Sequence, residues 1–125
     1  MNSVLNSVVV MGLFVAVSSA VGLRLDRSGK PYGAGKLSIH IILFFFIAAG
    51  LIASIYKLDA VIHEKTYAML SLYIVGLTVL TNSITGTVMA IIKMVNKKLI
   101  QLHKFSTILM GLSILSSIVF LIFGM

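Results

Sequence analysis

Four long apolar runs alternate with three short polar ones along this chain, over about residues 4–23, 37–56, 66–92 and 100–123. Each run is long enough to cross the ~30 Å hydrocarbon core of a bilayer as a helix. The pattern predicts an all-α integral membrane four-helix bundle of up-down topology. Residues 1–125 form one transmembrane domain, because four spans and their connections use the whole length.

In the first run Gly12, Ala16, Ser19 and Ala20 recur at three- and four-residue spacing, the expected signature of a helix-contact face. Val8 to Leu23 followed by basic residues has the outline of a signal peptide. No Lys or Arg precedes it, so a retained span is expected. Arg24 to Lys36 (RLDRSGKPYGAGK) carries the only proline, three glycines and five charges, and reads as a loop. The second run holds Phe44, Phe45 and Phe46, then the small residues Ala48, Ala49, Gly50, Ala53 and Ser54. Lys57 to Lys65 (KLDAVIHEK) reads as a connection bearing Asp59, His63 and Glu64. The third run is the most polar, with Thr78, Thr81, Asn82, Ser83, Thr85 and Thr87 in its second half. These should face the bundle, since unsatisfied polar groups in hydrocarbon are costly. Lys93 to Lys98 make a basic turn before the last run.

The two halves share one order: helix, basic loop, then a helix opening with an aliphatic residue three before a histidine. Leu37 stands before His40 and Ile100 before His103. Such an order allows two parallel two-helix repeats, related by a pseudo-two-fold along the membrane normal.

Composition excludes a soluble domain: 59% of residues are hydrophobic, 10% are charged, and the mean hydropathy is +1.13. The net charge of +7 would suggest nucleic acid in a soluble protein, yet the basic residues lie between the apolar runs. Lipid headgroups and membrane orientation account for them, and no nucleic-acid partner is expected. Of the ten Lys and Arg, Arg24, Arg27, Lys30, Lys36, Lys93, Lys97, Lys98 and Lys104 border the first and third loops. Only Lys57 and Lys65 border the second. Loops one and three are therefore expected to be cytoplasmic and both termini outside, in a prokaryotic plasma membrane. Helices two and four then both start at the cytoplasmic face, which sets His40 and His103 at matching depth. Without cysteine the chain offers no disulfide, thiolate ligand or cysteine nucleophile.

An ionisable residue inside a span is a candidate for function, since burying it without a partner is expensive. His40 and His103 qualify, in KLSIHIILFFFIAAG and KLIQLHKFSTILMG. Two neutral imidazoles approaching from facing helices at one depth suit axial ligation of a haem iron. Arg24, Arg27, Lys30, Lys36, Lys97, Lys98 and Lys104 would then offset the haem propionates. The same histidines equally fit two other uses: the magnesium of separate chlorophyll-type pigments, or headgroup-zone positions hydrogen-bonded to a carbonyl. Asn82 and the surrounding threonines could hydrogen-bond a quinone, a ligating histidine's second ring nitrogen, or a neighbouring helix. Gly50 and Gly111 could admit a porphyrin or a neighbouring backbone closely, and close packing is the commoner role. His63 beside Glu64 reads as an exposed loop residue.

Leu102, His103, Lys104 and Phe105, followed by an aliphatic run and Gly111, resemble the helix openings of membrane b-type cytochromes. In that family a histidine entering a span near a basic residue binds haem. The likeness covers the two histidine-bearing helix starts, about a quarter of the chain. Many such cytochromes carry a second histidine thirteen or fourteen residues on, where this chain has Ala53 and Ser54, and Ser116 and Ser117. The resemblance therefore implies at most one haem, toward the cytoplasmic side.

Other functions lack their residues. All three acids fall between the apolar runs, so the embedded carboxylate of a small proton-coupled exporter is missing. The phenylalanine and threonine polar track of a fluoride channel is not seen, nor is a catalytic triad or a glycine-rich phosphate loop. The expectation is a non-catalytic electron-transfer subunit binding one haem b through His40 and His103, working with a quinone or with other membrane subunits of a redox or photosynthetic complex. The rivals are a cofactor-free structural subunit of a membrane complex and, third, a small channel or transporter lined by helix three.

Overall fold

The computed structural model describes residues 2–28, 34–61, 66–91 and 96–123. They form four helices: α1 (Asn2–Ser28), α2 (Ala34–Val61), α3 (Thr66–Ile91) and α4 (Lys97–Ile122). Each is long and apolar enough to cross a membrane. Large apolar side chains such as Leu13, Phe45, Ile52, Leu77 and Ile84 point outward. A surface of that kind suits lipid and not water.

Helix and apolar run do not end together. α1 continues through Arg24 and Arg27 to Ser28, and Leu25 is buried one heptad on from Ser18. α2 continues past Lys57 to Val61, with Leu58 fully buried one turn after Ser54. The core-facing stripe thus carries on beside the first basic residues. α4 opens on an N-cap, where Asn96 Oδ1 accepts from the Leu99 N–H at 3.1 Å.

The helices form a ring in which α1 packs on α2 and α4, and α3 packs on α4 and α2. Packing is most extensive within the pairs α1/α2 and α3/α4. The diagonals α1/α3 and α2/α4 have no close backbone approach among the described residues. Contacts Gly22–His40, Gly50–Met11 and Lys57–Ser7 run α1 and α2 antiparallel. Gly86–His103, Thr78–Ser106 and Ser71–Ser117 do the same for α3 and α4. α2 and α4 therefore point the same way.

The two pairs share one register. Buried Val4, Val8, Met11 and Val15 of α1 correspond, 64 residues on, to buried Ala68, Leu72, Val75 and Val79 of α3. Buried Ile47, Leu51, Ser54 and Leu58 of α2 correspond, 63 residues on, to Met110, Ile114, Ser117 and Leu121 of α4. The seams between pairs obey the same relation. A Cβ on Gly12 would meet Ile114 Cγ2 at 3.2 Å, and one on Gly76 would meet Leu51 Cδ2 at 3.7 Å. These buried positions of the two helix pairs thus correspond about an axis along the bundle.

Two packing expectations are corrected. Ala16 and Ala20 are exposed, because the core-facing stripe of α1 is Val4, Val8, Met11, Val15 and Ser18. Gly111 has open space where a Cβ would lie, whereas Gly50 admits Met11, whose Cβ would stand at 3.3 Å. The polar half of α3 turns largely inward: Thr78 and Thr85 are buried, and Thr81, Asn82 and Ser83 are half-buried. Exposed Thr87 satisfies its hydroxyl on Ser83 O at 2.7 Å.

Candidate functional site

The shared register brings the histidines together. His40 stands six residues after Ala34 and His103 six after Lys97, about 9 Å along each axis at the helical rise. Both rings are half-buried and turned into the bundle, with centroids 6.4 Å apart and planes at 60°. They meet across the α2/α4 diagonal.

Each ring is held by the helix that precedes its own. His40 Nδ1 lies 3.0 Å from the Ser18 carbonyl and 3.1 Å from Ser18 Oγ. A carbonyl only accepts, so Nδ1 carries the proton and Nε2 keeps its lone pair. His103 Nδ1 lies 2.7 Å from Thr85 Oγ1, which donates its own proton to Thr81 O at 2.8 Å. With the hydroxyl proton on Thr81 O, Thr85 is placed to accept from His103 Nδ1, the arrangement that leaves Nε2 unprotonated as in His40. Both rings are thus anchored at Nδ1, with Nε2 as the other ring nitrogen.

Glycine gives the rings their room. A Cβ on Gly22 would come within 3.1 Å of His40 Cε1, and one on Gly86 within 3.4 Å of His103 Cε1. These glycines are equivalent in the repeat, 64 residues apart. Thr107, one turn after His103, donates to His103 O at 2.9 Å and accepts from Asn82 Nδ2 at 3.2 Å. Asn82 Oδ1 is then a buried acceptor with no partner among the described residues.

Five basic residues with described side chains fall at this end. Arg24 and Arg27 lie in the last turns of α1, Lys97 and Lys98 in the first turn of α4, and Lys104 beside His103, all exposed. Lys36 lies in α2, but its side chain falls outside the described residues, as do Lys30, Lys93, His63 and Glu64. Sequence reasoning reached both histidines and, among the threonines, Thr85. It missed Ser18, Gly22 and Gly86; aligning the two halves would have shown the glycines, as matched small residues opposite matched histidines.

Among the described residues no group of three or more His, Cys, Asp or Glu could hold a metal ion. Two imidazoles alone leave a bare ion undercoordinated. A macrocycle that brings its own four nitrogens completes the set. The donor types are those a bis-histidine haem would need: two imidazoles, each anchored through Nδ1. Comparison with family models, curated proteins and solved structures finds no match to this chain.

Proposed function

We propose that this protein is a membrane electron-transfer subunit that binds one haem b between α2 and α4, with His40 and His103 as axial ligands. The observation that carries the reading is the pair of imidazoles whose centroids lie 6.4 Å apart, each pinned at Nδ1 by the preceding helix. When bound, the haem supplies one-electron redox chemistry.

The chain's own groups do the rest. The Ser18 carbonyl and Thr85 hydroxyl fix ring orientation and make each Nε2 a better donor. Gly22 and Gly86 let the rings lie close against α1 and α3. The low-polarity wall of the bundle keeps water from the ligands, and Arg24, Arg27, Lys97, Lys98 and Lys104 place positive charge where propionates would emerge. Orientation completes the proposal: the histidine end faces the cytoplasm, where the basic residues concentrate. With a single redox centre near one face, the subunit takes its electron from, or gives it to, a quinone or a partner subunit.

Separate chlorophyll-type pigments are the alternative use of the two histidines, and the absorption spectrum of a pigment extract distinguishes haem from chlorin. Titration of purified apoprotein with haemin tests the reading. It predicts a plateau at one haem per chain; absence of a saturating spectral change supports the cofactor-free structural role instead.

A further inference from the structure

At the end of the bundle remote from the histidines, the repeat breaks. A groove of about 470 Å³ opens between α1 and α2, lined by Ser3, Asn6, Ser7, Val10, Gly50 and Lys57. Lys57 is half-buried and donates to Ser7 Oγ at 2.9 Å, while Ser7 donates to Ser3 O at 3.0 Å. Among the described residues Ser7 takes one of the three ammonium protons and no carboxylate lines the groove. In the second half the equivalents of Ser3 and Lys57 are Tyr67 and Phe120, whose rings pack at 5.8 Å. An aromatic pair occupies one unit where the other holds a cation and an opening.

We propose that this groove binds one anionic phospholipid, its phosphate held by Lys57 and its hydroxyl neighbours and one acyl chain laid along Val10 and Gly50. The lining has the polarity of the ligand. Ser3, Asn6, Ser7 and Lys57 gather toward the helix ends, and Val10 and Gly50 lie further along the helices toward their middles. Charge decides the lipid class, because a half-buried ammonium with spare protons favours a headgroup of net negative charge. Lys57 follows His40 by 17 residues, about 25 Å along α2, so the site is separate from the histidine pair and independent of the haem reading. A lysine that merely snorkelled to the interface would lower the free energy of any nearby anionic lipid without a defined stoichiometry.

Native mass spectrometry of the purified full chain, titrated with equimolar dioleoyl phosphatidylglycerol and dioleoyl phosphatidylcholine, separates these cases. The expected result is a plateau at one bound lipid with about fivefold preference for phosphatidylglycerol, the size a single lysine contact with an anionic headgroup supplies. Lys57→Arg should keep the preference and Lys57→Met should bring it near one. The double variant S3Y/K57F, which rebuilds the aromatic pair of the second half, should remove the bound lipid. Equal binding of the two lipids by the wild type, an unchanged preference in Lys57→Met, or uptake that rises without a plateau would each overturn the proposal.

Discussion

The His40 and His103 rings lie 6.4 Å apart although their helices make no close backbone approach among the described residues. Their meeting depends on α1 and α3, which flank the gap and hold one ring each. The site therefore belongs to all four helices, and changes on α1 or α3 should reach the ligands without touching them.

Thr85 and Ser18 should differ in consequence. Thr85→Val removes the side-chain acceptor of His103 Nδ1, whereas Ser18→Ala leaves the carbonyl that anchors His40. Haem affinity measured by titration should fall about 10- to 100-fold in Thr85→Val, the usual effect of losing such a partner. Ser18→Ala should lose much less. Equal losses in the two variants would contradict the assigned hydrogen bonds.

The interpair seams should also respond unequally, despite their equivalence in the repeat. Alanine at Gly12 would bring a Cβ to 3.2 Å from Ile114, itself buried and branched, while at Gly76 the nearest atom is Leu51 Cδ2 at 3.7 Å. Gly12→Ala should therefore destabilise the bundle by about 1 kcal/mol or more. Gly76→Ala should be neutral or gain up to about 1 kcal/mol from helix propensity. Reversible unfolding in mixed micelles measures both.

Ser71 and Ser117 share a buried hydrogen bond of 2.6 Å between α3 and α4. Each also has a carbonyl of its own helix in reach, Ala68 O for Ser71 and Ser113 O for Ser117, so the pair is not stranded when cut. A double-mutant cycle with alanine should give a coupling near 0.6 kcal/mol, typical for bonds between membrane helices. A coupling indistinguishable from zero would mean the two hydroxyls do not act together.

Much of this architecture was legible in the order of residues. Apolar runs of span length announce membrane helices, and the bias of Lys and Arg toward two loops gives α2 and α4 one direction. That direction alone pairs His40 with His103. Less legible was which face of a span meets the core, because lipid is as apolar as protein interior. Ala16 and Ala20 were expected inside for their size, yet they lie outside. Arg24 and Lys57 do not end their helices, so α1 and α2 outrun their apolar stretches. Ser18 was hidden because its partner is a ring 22 residues away on another helix, and nothing local to Ser18 signals it.

The most direct measurement is the Soret absorption of haem-reconstituted wild type, His40→Ala and His103→Ala, with helix content followed by circular dichroism. A bis-histidine site predicts a low-spin haem in the wild type and loss of that spectrum in each single variant, with helicity unchanged. Wild-type haem retained in both variants, or none bound by the wild type, would contradict the assignment of His40 and His103 as axial ligands.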